Sequence, residues 1–144
     1  SMSQLLRLTG SQRVLEIGTG CGYQTAVLCE LAGAVFSVEI VEKVAALGRN
    51  NLETLGYTPQ LRVGDGGLGW EEVGPFDAVI ITATAPRIPE ALVEQVKVGG
   101  VIVTPLEEWG NEVMVRATRT VQGVDVERLY GVRFVPMTGA VRGG

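Results

Sequence analysis

The chain has 144 residues, a length that suits one domain, and 16 acidic against 12 basic side chains give it a formal net charge of −4. The absence of histidine, with only two cysteines (Cys21 and Cys29), argues against a zinc centre and removes nucleophiles activated by histidine. Arg7, Arg13, Arg49 and Arg62 are scattered singly, without the basic stripe that holds nucleic acid.

Elements alternate along the chain. Ser3–Leu8 reads as a short amphipathic stretch ended by Thr9-Gly10. Arg13–Ile17 (RVLEI) is an apolar, partly β-branched run, hence a strand, and Gly18–Gly22 is a glycine turn. Tyr23–Leu31 has helical spacing, with Ala26, Val27, Leu28, Cys29 and Leu31 forming a broad apolar face; the two cysteines are expected to be buried, reduced thiols. Ala34–Glu39 is a second strand ending on an acid. Val41–Leu55 is a second helix on Val44, Ala45, Leu47, Leu52 and Leu55, with Gly56 where a C-terminal cap belongs. Leu61–Val63 is a short strand. Phe76–Thr82 (FDAVIIT) is nearly all apolar and should lie centrally, buried on both faces. Pro89–Val96 is a helix with proline in its first turn, and Gly100–Pro105 is a fifth strand. Glu112–Thr120 and Val126–Val135 then alternate as strands around a turn at Val121–Asp125.

This order predicts a single α/β domain over residues 1–144. Its sheet is doubly wound and mostly parallel, with a C-terminal antiparallel hairpin. With 46% hydrophobic residues the chain can bury a core. No apolar run approaches the ~20 residues of a membrane span and no leader pattern is visible, so a cytoplasmic protein with no membrane partner is expected.

In an open α/β sheet the ligand sits beyond the carboxyl ends of the strands, at the switch point. Here that place is Glu16-Ile17-Gly18-Thr19-Gly20-Cys21-Gly22-Tyr23. The glycines are spaced G-x-G-x-G, whereas dinucleotide folds use G-x-G-x-x-G; Tyr23 occupies the sixth position. No Gly-Lys-Ser/Thr follows, so a Walker loop is excluded. Glu39, at the end of the second strand, can accept both ribose hydroxyls of an adenosine, an arrangement shared by nicotinamide and adenosylmethionine cofactors. The glycine spacing points to the methyl donor. Asp65, between Gly64 and Gly66, is placed to accept an adenine amino group, and Trp70 either covers an adenine face or packs in the core. Taken singly, the glycine run could be a plain turn and the acid a helix cap; their common register with the strands favours a Rossmann-like cofactor site.

With these residues on the page, the chain resembles the protein-L-isoaspartate O-methyltransferase family. The segments VLEIGTGCGYQTAVL, FSVEIVE, RVGDGGLGW, PFDAVIITATAPRIPEALVEQVKVGG and VRFVPMTG follow in the family's order from about Leu5 to Gly139. The resemblance implies a transferase using S-adenosyl-L-methionine and releasing S-adenosyl-L-homocysteine. The substrate class would be isoaspartyl peptides or proteins, whose methylation begins repair through a succinimide. It places Gly18, Thr19, Gly20, Gly22 and Tyr23 along the methionine part of the cofactor, Glu39 on the ribose, and Asp65 with Gly66 on the adenine. Thr82, Ala83 and Pro86 would border the methyl-transfer site, and Phe134, Val135 and Pro136 would offer backbone to the peptide. Glu16 falls where the family carries an acid near the cofactor and is counted with the cofactor-binding residues; it is also a candidate for a catalytic role, with an electrostatic prop for the loop as the favoured reading.

The family pattern also carries an N-terminal segment whose Thr-Ile-Ser loop holds its active-site serine and closes over the cofactor. No Thr-Ile-Ser occurs here, so the sequence designates no catalytic serine. The chain is expected to be N-terminally truncated relative to the family, and to self-associate through the apolar surface that such a loss exposes. Two other readings stay open: a lidless domain that binds cofactor without turnover, and a methyltransferase for a small-molecule substrate.

Overall fold

Parallel strands covered on both faces read as continuous apolar runs, and such runs form the centre of this molecule. The structure, a computed structural model, describes residues 2–131. Its elements are α1 (Met2–Leu5), β1 (Arg13–Ile17), α2 (Tyr23–Leu31), β2 (Ala34–Glu39), α3 (Glu42–Thr54), β3 (Gln60–Val63), β4 (Phe76–Ile81), α4 (Glu90–Gln95), β5 (Val96–Glu108), β6 (Asn111–Thr120) and β7 (Gly123–Gly131). Short 3₁₀ turns at Gly66–Leu68 and Glu71–Val73 lie between β3 and β4.

The seven strands form one sheet in the order β3-β2-β1-β4-β5-β6-β7. Strands β1 to β5 are parallel, and β6 and β7 are antiparallel additions at one end. The chain winds outward from β1 to β3, then returns to the other side of β1 as β4. The switch point therefore lies between β1 and β4, where the loops leaving the strands diverge. One face of the sheet packs Leu15, Ile17, Phe36, Val79 and Ile81 beneath Leu92 of α4. The other packs Val14, Val35, Ala78, Ile80 and Val103 beneath Leu28 of α2 and Met2 and Leu6 at the N-terminal end. Among the described residues no helix is long and apolar enough to cross a membrane.

Strands β1 and β2 and helix α2 begin and end where the sequence places them. Other details differ. The buried stripe of α3 is Ala45, Gly48 and Leu52, while Leu47 and Leu55 face solvent; the helix approaches the glycine loop so closely that a small residue takes the central place. In α2 the buried residues are Thr25, Ala26 and Leu28, and Leu31 is exposed, because a polar pocket around Glu16 claims part of its inner face. Cys21 is exposed in the turn before α2 and Cys29 is only half-buried, so the expectation of two buried thiols does not hold. Burial, with the nearby Glu16 and Glu30 charges, pushes the Cys29 thiol up to about 11.

Pro89 caps α4 from outside rather than entering its first turn. Strand β5 starts at Val96, an irregularity opposite β4 absorbing the Gly99-Gly100 pair that reads as a break, and it runs on to Glu108 beside β6. Strand β7 begins at Gly123, leaving Val121-Gln122 as the hairpin connection; an edge strand tolerates the glycine and Asp125 that suggest a longer turn. The remainder of the expected strand, to Val135, lies outside the described residues.

Candidate functional site

The carboxyl ends of β1, β2 and β4 share one edge of the sheet, and the loops leaving them build the site. The loop after β1 needs backbone that few side chains tolerate. Gly18 has φ +101°, and a Cβ there would overlap the Thr82 hydroxyl. Gly20 has φ +53° and its missing Cβ would point into open space, with nothing within 4 Å. Gly18 donates to Val38 O at 2.7 Å and Gly22 to Thr19 O at 3.0 Å, after which α2 begins with no side-chain cap. Its first-turn amides have no partner from the cap residue, a setting that suits a ligand carboxylate. Tyr23, 74% exposed, stands at that helix start.

Glu39 clamps this loop from β2. Its Oε1 accepts from the Gly20 amide at 3.0 Å and its Oε2 from the Val41 amide at 3.1 Å. Each carboxylate oxygen keeps a further lone pair for a hydroxyl donor. The Gly64 amide donates to Glu39 O at 3.0 Å, which brings the loop after β3 alongside. There Asp65 Oδ1 accepts from the Gly67 amide at 2.8 Å and shapes the 3₁₀ turn that starts at buried Gly66. Trp70 is half-buried, edge-on to Phe36 at 5.8 Å between ring centroids, with the Arg62 guanidinium over its face.

From β4, the Thr82 hydroxyl donates to Ile17 O at 3.0 Å, and Gly18 O lies 3.3 Å away. Ala83 is half-buried beside it and Pro86 is exposed farther along the loop. The structure therefore brings Gly18, Thr19, Gly20, Gly22, Tyr23, Glu39, Asp65, Gly66 and Thr82 to one edge. Phe134, Val135 and Pro136 lie outside the described residues.

Glu16 is fully buried beneath the loop. Its Oε1 accepts from the Thr25 hydroxyl and, at 2.7 Å, from the Ser37 hydroxyl, while its Oε2 has no hydrogen-bond partner among the described residues. Ser37 in turn sits 2.6 Å from the Thr19 hydroxyl, so a polar chain runs from Glu16 into the glycine loop. Burial raises the carboxyl to about 7; the Thr25 and Ser37 hydrogen bonds oppose the rise and the Glu39 charge adds to it. Glu16 thus lies beneath the loop and is joined to it through Ser37 and Thr19.

Four contributors escape a reading of the sequence. Thr25 and Ser37 look like ordinary helix and strand residues until the fold turns them toward Glu16. The Asn51 side chain donates to Cys21 O at 2.9 Å and ties the loop to α3. Gly48 is the fourth: a Cβ there would stand 2.7 Å from Gly20 O and 3.0 Å from Thr19 Cγ2. A glycine in mid-helix weakens the helix, and that was the available signal.

The profile of the family described as protein-L-isoaspartate(D-aspartate) O-methyltransferase matches residues 1–142. Protein-L-isoaspartate O-methyltransferase 2 of Shewanella sediminis is 49% identical over 140 residues, which are 96% of this chain and 57% of that protein. A solved protein-L-isoaspartate O-methyltransferase superposes with a TM-score of 0.90 at 26% identity, over 97% of this chain and 46% of its own. A Plasmodium falciparum chain assigned to the same family and solved with S-adenosyl-L-homocysteine gives a TM-score of 0.77 at 22% identity, over 95% of this chain and 71% of its own; that likeness concerns the fold. The chain thus spans little more than half the length of the Shewanella relative.

Proposed function

The chain belongs to the protein-L-isoaspartate O-methyltransferase family, and from that premise we propose that it transfers the methyl group of S-adenosyl-L-methionine to the carboxylate of L-isoaspartyl residues in ageing proteins, a step of protein repair. The observation that carries this reading is the glycine loop at the switch point, held by Glu39 and open at Gly20.

The residues present fit the cofactor. The space above Gly20, which a Cβ would fill, admits the methionine part between Gly18, Thr19, Gly22 and Tyr23. Glu39 takes the ribose hydroxyls on its remaining lone pairs, and Asp65 and Gly66 border the adenine. When bound, the cofactor supplies an electrophilic methyl group. The acceptor carboxylate is already ionised at neutral pH, so the chain needs no general base, and a site without histidine suffices. What the protein contributes is alignment: Thr82, Ala83 and Pro86 border the place where the acceptor meets the methyl group. Phe134, Val135 and Pro136 complete the reading as backbone partners of the peptide. Self-association and a cytoplasmic location belong to the same reading; elution as a monomer on size exclusion would count against the first.

Two experiments bear on it. Labelled methyl transfer is expected to an isoaspartyl peptide and not to its aspartyl twin; cofactor binding with no transfer to any peptide would leave a binding module instead. A Gly20→Val variant is expected to lose detectable S-adenosyl-L-homocysteine binding in calorimetry, because a branched side chain at φ +53° both strains the loop and fills the open space. Undiminished binding would place the cofactor elsewhere.

A further inference from the structure

The turn that carries Asp65 and Gly66 rests on a buried side chain from outside the loops of the site. Gln95 ends α4, only 8% exposed, beside the fully buried Leu92 and Val96. Its Oε1 accepts from the Trp70 amide at 2.8 Å, and its Nε2 donates to Leu68 O at 2.9 Å. Both ends of one amide thus grip the backbone on either side of Gly69. An apolar residue would suit a position among Leu92 and Val96, and a buried amide costs free energy that only its hydrogen bonds offset. Residue 95 is therefore polar for the sake of the turn.

The turn is shaped to receive this grip. The Leu68 amide donates to Asp65 O and the Gly69 amide to Gly66 O, each at 3.1 Å, so a hold on residues 68 to 70 passes directly to Asp65 and Gly66. Gly69 reverses the chain at φ +66° and ψ −146°, a conformation open to glycine. A Cβ there would overlap Gln95 Oε1 and stand 2.8 Å from Leu92 Cδ2. Residues 69 and 95 are a matched pair: the first lacks a side chain so that the second can reach the backbone.

We propose that Gln95 is a positioning residue of the cofactor site: by holding Leu68 and Trp70 it fixes the turn at Asp65–Gly66, and so sets the preference for adenine over a purine with a carbonyl in place of the amino group. The inference rests on the proposed placing of adenine at this turn. A carboxylate accepts several hydrogen bonds at once, so Asp65 can take an amino group in addition to the Gly67 amide. A carbonyl brought to the same place would face the carboxylate and be rejected. That discrimination lasts only while the turn keeps its shape.

Calorimetric titration with S-adenosyl-L-homocysteine and with S-inosyl-L-homocysteine, whose purine carries the carbonyl, reads the preference as a ratio of affinities. The wild type is expected to favour the adenosyl ligand. Gln95→Met, unbranched and of similar size but without an amide, should bind the adenosyl ligand about tenfold more weakly and the inosyl ligand within about twofold of wild type, so that the ratio falls. Gly69→Ala displaces Gln95 from the other side of the same contact and should lower the ratio likewise; it supplies the reading if Gln95→Met fails to fold. A general loss of stability would weaken both ligands together and leave the ratio where it was. An unchanged ratio would overturn the positioning role and leave the cofactor reading intact. Equal wild-type affinity for the two ligands, or binding of neither, would instead overturn the placing of adenine at this turn, and the inference with it.

Discussion

A Gly48→Ala variant is expected to fold as stably as the wild type, within about 1 kcal/mol, and to bind S-adenosyl-L-homocysteine about tenfold more weakly or worse. Two opposed effects meet at this residue. Alanine favours a helix interior over glycine by about 1 kcal/mol, and Gly48 lies in the middle of α3. Yet its new Cβ would stand 2.7 Å from Gly20 O, a backbone atom that no side-chain rotation can move aside. The loop must shift, and it is the loop held by Glu39. Denaturant unfolding and calorimetric titration on one preparation separate the two effects. Wild-type affinity in Gly48→Ala would show that the spacing between α3 and the loop does not govern the site.

Replacing Glu16 by glutamine is expected to abolish a pH dependence of stability that the wild type shows between about pH 5 and 8. In the folded protein the Glu16 carboxyl is raised from 4.5 to about 7, so between those values the native state holds a proton that the unfolded chain has released. Stability must then fall as pH rises through that window, and the full loss is in place above pH 7. A shift of this size corresponds to about 3 kcal/mol.

Other shifted groups titrate outside the window. Asp77 and Glu108 are lowered, by the Arg13 backbone amide and by the Arg128 guanidinium respectively, so their contributions are lost only in acid, below their ordinary values. Cys29 is raised from 9.0 and acts only in alkali. Glutamine keeps an oxygen for Thr25 and Ser37 and never ionises. The difference in unfolding free energy between wild type and Glu16→Gln should therefore move by about 2.5 kcal/mol in favour of the variant from pH 5 to pH 8. A difference that stays constant across that range would show that Glu16 is not strained by its burial.

The parts of the fold that follow from local pattern are legible in the sequence. Strands β1, β2 and β4 are apolar and buried on both faces, so no choice of face blurs their limits. The antiparallel end shows as alternation in β6 and β7. Glycines 18, 20 and 22 announce their loop because positive φ restricts the choice of residue. Legibility fails where a residue is chosen by something distant in sequence. Gly48 lies in α3 for the sake of Gly20, and Thr25 and Ser37 are polar for the sake of Glu16. Leu47 and Leu55 fit a helical period yet face solvent, since period alone does not say how wide a stripe the neighbouring elements cover.

The central claim is that the glycine loop, Glu39 and the Asp65 turn together form a site for the methyl donor rather than for a dinucleotide. Calorimetric titration with S-adenosyl-L-homocysteine, with NADH in parallel, tests it most directly. The account predicts saturable binding of S-adenosyl-L-homocysteine and none of NADH. Binding of NADH alone, or of neither ligand, would contradict it.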